Sequence, residues 1–136
     1  MELHIAPDRT VGTIQTEFSE SFSGLKIVFF SKPHKAFKGS AAKFMVQEKD
    51  MPLKQLSPNI KTGQLLIEHD TPVWQLERLF EDEYALHAQV FRKSGKTWLE
   101  TSVTDDLTLE QQQAKAAESE IIHQEFVDPM DYREQD

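Results

Sequence analysis

Apolar residues recur at steps of three and four in two separate stretches of the chain. In each stretch the apolar positions form one stripe along a helix, the pattern of an amphipathic helix that packs on a core. The two stretches match each other, position for position, when the chain is shifted by 62 residues. The matched helix positions are Val11 with Val73, Ile14 with Leu76, Phe18 with Phe80, and Phe22 with Tyr84.

Short apolar segments on either side of both stripes predict β-strands. A further strand closes each half, and Ser94-Gly95 predicts a tight turn before the second of these closing strands. The predicted strands cover residues 3–5, 25–30 and 42–48 in the first half and 65–67, 86–91 and 97–103 in the second. The same shift pairs Leu3 with Leu65, Val28 with Val90, and Phe29 with Phe91.

This arrangement predicts two tandem β-α-β-β repeats that share one domain of the α+β class. One helix and three strands give a single repeat little core, so the repeats are expected to share one mostly antiparallel sheet. The expected architecture is a two-layer sandwich of about six strands, with the two main helices on one face. The predicted domain covers residues 1–112, with repeats at 1–56 and 63–112, and a helical or disordered acidic tail at 113–136.

Charge is distributed unevenly along the chain, whose net charge is −8. Residues 110–136 hold eight acidic and two basic residues, whereas residues 1–109 are nearly neutral. The acidity is therefore mainly a property of the C-terminal segment and says little about what the body binds. Two interpretations of this segment stay open: a solvated helix that frays, or a segment that docks on a partner through Ile121, Ile122 and Phe126.

The chain lacks the sequence motifs of several common active sites. It contains no cysteine, and its five glycines form neither a phosphate-binding loop nor a dinucleotide fingerprint. A Gly-X-Ser-X-Gly elbow and a His-Glu-X-X-His metal motif are also missing from the sequence. We therefore predict no catalytic, cofactor-binding or metal-binding residue, and an enzyme ranks third among the functions considered.

The sequence also bears on cellular location. Met1 is followed by Glu2, with neither a basic stretch nor a long apolar run that would indicate a secretory signal. No apolar stretch approaches the ~20 residues that a membrane-spanning helix needs. We expect a cytoplasmic protein that has no membrane partner.

Several short strings in the chain resemble a family of small uncharacterised bacterial proteins. One of these strings is the Thr-Val-Gly-X-X-Ile start of the first helix. Together the strings extend the resemblance over most of residues 1–112. It implies a duplicated domain and a bacterial origin, but no activity, and it supplies no catalytic residue. In the second repeat it rests on Phe91-Arg92-Lys93-Ser94-Gly95, on Trp98-Leu99-Glu100-Thr101, and on Thr104-Asp105-Asp106 with Leu109.

Basic residues concentrate in the loops that precede the two closing strands. If the halves are related by a pseudo-two-fold axis, the two loops occupy equivalent positions, and such positive patches can contact phosphate groups. Alternatively, both loops are solvated turns whose lysines discourage pairing at the strand edges. The candidate phosphate contacts are Lys32, Lys35 and Lys38 in the first loop and Arg92, Lys93 and Lys96 in the second.

Trp74 lies far from the apolar stripe of the second helix, and Gly12 occupies the matching position of the first helix. An exposed tryptophan suggests an interface, although this side chain can instead fold over the sheet edge or against the tail. The favoured function is a non-enzymatic protein-interaction module that binds a protein partner or a second copy of itself. The alternative is a nucleic-acid-binding protein that uses the basic loops.

Overall fold

The computed structural model describes residues 1–32 and 42–126, which form five β-strands and four α-helices. This composition confirms the α+β class predicted from the sequence. In chain order the elements are β1 (Glu2–Ile5), α1 (Val11–Ser21), β2 (Leu25–Phe30), α2 (Leu53–Leu56), β3 (Gly63–Leu66), α3 (Val73–Tyr84), β4 (His87–Ser94), β5 (Thr97–Glu100) and α4 (Leu109–Phe126).

The strands form two antiparallel sheets, and the expectation of one shared sheet is wrong. β1 pairs with β3 in a two-stranded sheet, and the three-stranded sheet has the order β2-β4-β5. Leu3 lies directly opposite Leu65, its sequence match, in the first of these sheets. The β1–β3 and β2–β4 pairings each join a strand of the first half to a strand of the second.

The predicted strand at 42–48 does not form. Its first three residues make a 3-10 turn, and Met45 alone forms a bridge, to Phe30 of β2. The rest of that edge is occupied by side chains of α1, which donate hydrogen bonds to the carbonyl groups of Leu25 and Ile27. A second strand cannot add where the edge acceptors are already bonded.

The apolar stripes of α1 and α3 lie in one core, as their periodicity predicts. None of their eight matched residues is more than 5% exposed, and Phe18 and Phe80 are both fully buried. The ring of Phe80 packs edge-on against the ring of Phe29, with 5.6 Å between the centroids. The same core takes residues from β1 to β4 and the first residues of α2 and α4, Leu53 and Leu109.

Both long core helices begin against the segment that closes their own half. Val11 N–H donates to Met51 O (2.9 Å), and Val73 N–H donates to Leu107 O (3.0 Å). A second matched pair of bonds runs from Leu53 N–H to Arg9 O and from Leu109 N–H to Thr71 O. The helix starts are related by a shift of 62 residues and the closing segments by a shift of 56.

The strand after each helix departs from the constant shift. Ile27 and Val90 lie opposite each other and belong to the main core. Phe29, on the same face of β2 as Ile27, also belongs to the main core. Val28 and Phe91 belong to a second cluster on the other face. The residues that the shift of 62 matches, Val28 with Val90 and Phe29 with Phe91, therefore lie on opposite faces of the three-stranded sheet. α1 has 11 residues and α3 has 12, and a one-residue difference reverses the faces of the following strand.

α4 follows the second closing segment and lies along β4. Ala116 is buried, and Ser119 Oγ donates to Lys93 O (3.3 Å) and accepts from Gly95 N–H (3.2 Å). Contacts with the body therefore continue beyond the predicted boundary at residue 112. The division of the chain into a domain and a tail stays a prediction.

The predicted docking residues of the tail fall at the far end of α4. Ile121, Ile122 and Phe126 lie within the helix, but their side chains are outside the described part, as are residues 127–136 entirely. Within residues 1–32 and 42–126, no helix combines the length and the apolar character that crossing a membrane requires.

Candidate functional site

β5 is an edge strand with an open side. It pairs with β4 alone among the described strands. Thr101 N–H donates to Val90 O (3.2 Å), so residues alternating with Thr101 along β5 direct their backbone groups to β4. The N–H and C=O groups of the intervening residues, Trp98 and Glu100, consequently point away from the sheet. These groups form a row of unpaired donors and acceptors on the open side.

Exposed apolar side chains concentrate around this strand. Five large apolar side chains are exposed in the described part of the chain. Four of them lie close together in the fold. Two are on β5, one is in the loop that follows β5, and one is on α3, where its N–H donates a hydrogen bond to that loop. An exposed apolar surface next to an open edge is typical of a protein-interaction site. The four residues are Trp74, Trp98, Leu99 and Val103, and the fifth, Leu66, lies on β3.

The opposite edge of the same sheet is closed. Ser19 Oγ donates to Leu25 O and Gln15 Nε2 donates to Ile27 O, both at 3.0 Å. Val46 N–H donates to the next outward carbonyl, that of Phe29 (2.9 Å). The three-stranded sheet can therefore be extended at β5 and not at β2.

Lysine side chains lie over aromatic rings on the outer face of the three-stranded sheet. Lys26 Nζ is 4.6 Å from the ring centroid of Trp98 and 5.7 Å from that of Phe91. Lys93 Nζ lies 5.2 Å from the Trp98 centroid, within the range of a cation–π contact. Partial burial lowers the pKa of Lys26, and the ammonium groups of Lys49 and Lys93 lower it further. The face is thus both aromatic and positively charged.

Among the candidate phosphate contacts that the structure describes, those of the first and second basic loops lie far apart. Lys32 follows the end of β2 and Lys93 lies near the end of the antiparallel β4, so they are roughly 25 Å apart along the strands. Lys32 lies over the ring of Phe44, at 5.1 Å. Arg92 is on the inner face, where its Nη1 donates to Gln112 Oε1 (2.8 Å). Lys96 is exposed in the β4–β5 turn, and Lys35 and Lys38 lie outside the described residues.

Trp74 is exposed on the first turn of α3, with 44% of its surface accessible. Its N–H donates to Asp105 O (2.9 Å), just as Gly12 N–H donates to Lys49 O (2.8 Å) in the first half. A Cβ at Gly12 would lie 2.9 Å from Lys49 Cβ, so the first half has no room for a side chain there. The second half therefore has an exposed tryptophan at the position where the backbone of the first half is tightly packed against Lys49.

Trp98 and Leu99 were missed by the sequence analysis as interface residues, because no face was assigned to the closing strands. The sequence does contain a signal. Two adjacent large apolar residues on one strand point to opposite faces. At least one of them must therefore point away from the helix layer of a two-layer fold.

A carboxyl group is buried where β5 diverges from β4. Glu77 of α3 is 7% exposed, and its Oε2 accepts hydrogen bonds from Val90 N–H (2.9 Å) and Gln89 Nε2 (3.2 Å). Burial raises the pKa of Glu77 to about 8, with smaller contributions from the negative charges of Asp105 and Glu100. The Val90 hydrogen bond acts in the opposite direction. This carboxyl is consequently mostly protonated at neutral pH.

The three histidines whose side chains the structure describes do not form a common site. They have three separate partners: His4 Nδ1 lies 2.9 Å from Gln64 Nε2, His69 stacks edge-on against Phe22, and His87 Nδ1 lies 2.8 Å from Glu81 Oε2. In the part of the chain that the structure describes, no three His, Asp or Glu side chains are arranged to hold a metal ion.

Comparison with known proteins finds no matching family model, no matching curated protein and no matching solved structure. The resemblance to small bacterial proteins therefore stays a prediction.

Proposed function

We propose that this protein is a non-catalytic protein-interaction module that self-associates through β5. The observation that carries the proposal is the open edge of β5, with Trp98 exposed on one face and Leu99 on the other. An extended strand that adds to such an edge gains main-chain hydrogen bonds and apolar contacts together. The duplication of the β-α-β-β unit, the bacterial origin and the cytoplasmic location belong to the proposal as predictions from the sequence.

β5, together with Lys96 of the turn just before it, is complementary to a second copy in one antiparallel register. When two copies pair with Trp98 opposite Trp98, the outward backbone groups of this residue bond to each other across the two-fold axis. Lys96 then faces Glu100 of the second copy, and the same pair forms again on the other side of the axis. Opposite charges at directly facing positions stabilise a strand pair. This register therefore favours a second copy as the partner.

Self-association should depend on Trp98 and not on Trp74. We expect sedimentation velocity to detect a dimer, and Trp98→Ala to raise its dissociation constant by about tenfold or more, as for a central interface aromatic. Trp74→Ala is the matched control, because it removes another exposed tryptophan that lies outside the strand. Glu100→Lys should weaken the dimer, and the exchanged pair Lys96→Glu with Glu100→Lys should restore it.

Two results would count against this interface. A chain that stays monomeric up to millimolar concentration contradicts self-association. A dimer weakened by Trp74→Ala but not by Trp98→Ala would move the interface to the first turn of α3, the surface first indicated by the sequence.

Binding of single-stranded nucleic acid is the second candidate. It is favoured by the position of Lys26 and Lys93 over the partly exposed ring of Trp98. A sheet face that combines an aromatic ring with ammonium groups can stack a base and neutralise neighbouring phosphates. The acidic charge of the whole chain opposes it.

A titration of labelled single-stranded DNA and RNA at low and moderate salt tests this candidate. If the face binds nucleic acid, exchanging Lys26 and Lys93 for glutamine should reduce affinity at least tenfold and flatten the salt dependence, because phosphate contacts are lost. Lys54→Gln is the control, since Lys54 pairs with Asp8 on another surface. Undetectable binding at low salt would remove the candidate.

A further inference from the structure

The lysine–aromatic face consists of Lys26, Lys93 and Trp98, at the end of the three-stranded sheet that carries the β4–β5 turn. Both ammonium groups lie beside one indole ring, at 4.6 and 5.2 Å from its centroid, and this tryptophan is 37% exposed. Lys96, in the turn, adds a third positive charge close by. One carboxylate shares the face, that of Glu100 on β5. The described residues therefore give this end of the sheet an excess of positive charge.

The positive charge of this face is not neutralised by the described residues. Among the side chains that the structure describes, no salt bridge links Lys26 or Lys93 to a carboxylate. Partial burial lowers the pKa of Lys26, and the ammonium groups of Lys49 and Lys93 lower it further. An anionic group beside both lysines of the face would offset this repulsion.

α4 carries the chain toward the same end of the sheet. Gln112, near the start of α4, accepts a hydrogen bond from Arg92 of β4 (2.8 Å). Two turns later, Ser119 Oγ accepts a hydrogen bond from Gly95 N–H in the β4–β5 turn (3.2 Å). The helix therefore runs along β4 to the turn, and its last residue, Phe126, lies about 10 Å further on. The chain thus leaves α4 near the end of the sheet that carries the lysine–aromatic face.

The segment that follows α4, residues 127–136, has a charge and a length that suit this face. It holds four acidic residues and one basic residue. Fully extended, it spans roughly 33 Å. The return to the turn is about 10 Å, and the step from the helix layer to the sheet is about 10 Å more. The residues from Asp131 onward, which include Tyr132 and Glu134, can therefore reach the two lysines.

We propose that residues 127–136 dock on the lysine–aromatic face of their own chain. Carboxylates of the segment pair with the ammonium groups of Lys26 and Lys93, and Tyr132 packs beside the ring of Trp98. Exposed ion pairs are individually weak and are screened by salt. Because the segment is tethered to α4, its effective concentration at the face is high, and weak contacts are sufficient to hold it.

A nitroxide label near the C-terminus tests this contact in the full chain. The chain contains no cysteine, so Gln135→Cys gives a single labelling position. The label should broaden the indole N–H signal of Trp98 and the amide signal of Lys26, and high salt should restore both signals. The amide signal of Lys54, which pairs with Asp8 on another surface, should stay sharp.

Charge variants separate docking from proximity alone. Exchanging Lys26 and Lys93 for glutamine should abolish the broadening at Trp98. The matched control, Lys54→Gln with Lys61→Gln, should leave it unchanged, because these exposed lysines pair with acidic residues elsewhere. Broadening that is absent from the original chain, or that survives the exchange of Lys26 and Lys93, would overturn the proposal.

A mixed sample identifies which copy provides the segment. An isotope-labelled chain without nitroxide is combined with an unlabelled chain that carries the nitroxide, at a concentration at which sedimentation velocity finds only monomer. Docking within one chain leaves the signal of Trp98 sharp in this mixture. Broadening as strong as in the singly labelled chain would overturn the proposal and assign the face to the segment of a second copy.

Docking also has a consequence for self-association, and this consequence rests on the function proposed above. The segment covers Trp98, so it competes with a second copy for β5. Exchanging the four acidic residues of the segment for their amides should lower the dissociation constant of the dimer about threefold or more. An unchanged dissociation constant would contradict this competition. If the chain stays monomeric, self-association fails, while the nitroxide measurements still decide the docking.

Discussion

Replacing Phe80 by alanine should lower the free energy of unfolding by about 3–5 kcal/mol, the range for removing a fully packed phenylalanine. Phe80 is fully buried, and its ring contacts that of Phe29 from the three-stranded sheet. Truncation therefore leaves a cavity between α3 and the sheet that rigid neighbours fill only in part. Urea denaturation monitored by circular dichroism measures the change.

Two further variants make this test specific. Phe18→Ala should have a cost of the same size, because Phe18 occupies the matched position of α1 and is equally buried. Trp74→Ala removes a larger but exposed side chain of the same helix and should change the stability by less than about 1 kcal/mol. A loss below about 1 kcal/mol for Phe80→Ala would show that this position is not in a packed core.

Stability should also fall as the pH rises, because of one buried carboxyl group. The folded state holds the proton of Glu77 up to pH about 8, whereas the unfolded chain releases it near 4.5. Between these values the folded state binds the additional proton, so Glu77 lowers the free energy of unfolding by about 1.4 kcal/mol for each pH unit of increase. The stabilisation from the bound proton of Glu77 is fully present below pH 4.5. It falls between pH 4.5 and pH 8, and above pH 8 it is lost.

Glu77→Gln isolates this effect from the other titrating groups. Glutamine keeps an acceptor for Val90 N–H and cannot ionise. Relative to the original chain, the variant should therefore gain about 3–4 kcal/mol between pH 5 and pH 8. Denaturant titrations at pH 5, 6, 7 and 8 measure the difference, with the half-exposed Glu81→Gln as the control. A difference that stays constant with pH would show that Glu77 is ionised in the folded protein.

The helices and their core faces could be predicted from the sequence because their signal is local and repeated. The stripe through Phe18 and the stripe through Phe80 each follow the helical period, and packing then requires that stripe to face the sheets. The match of Leu3 with Leu65 was equally reliable, because both strands are short and have one buried face.

The local sequence pattern could not show which of the two predicted closing strands would form. The segments at 42–48 and 97–103 both contain residues that favour strands, yet only part of the second segment, β5, forms one. The difference arises from α1, whose Gln15 and Ser19 occupy the carbonyls of the β2 edge. Such competition depends on tertiary contacts between distant residues and leaves no local pattern in the chain.

The candidate sites were hidden for a related reason. Glu77 belongs to a polar stretch of α3 and has the appearance of a solvated helix residue, and its burial follows from the point at which β5 leaves β4. The lysine–aromatic face likewise depends on the pairing of β5 with β4, which brings the ring of Trp98 within reach of Lys26. Neither the composition nor the residue spacing of the sequence indicates these tertiary contacts.

The pairing of strands between the two halves has a consequence for how the chain folds during synthesis. β1 and β2 pair with strands about 60 residues later in the chain, β3 and β4, so the described strands of the first half do not form a sheet with each other as the chain leaves the ribosome. β1 stays unpaired until β3 has been translated, and β2 stays unpaired until β4 has been translated. We therefore expect the chain to fold late in its synthesis, and we expect the nascent first half to expose the most apolar surface to chaperones.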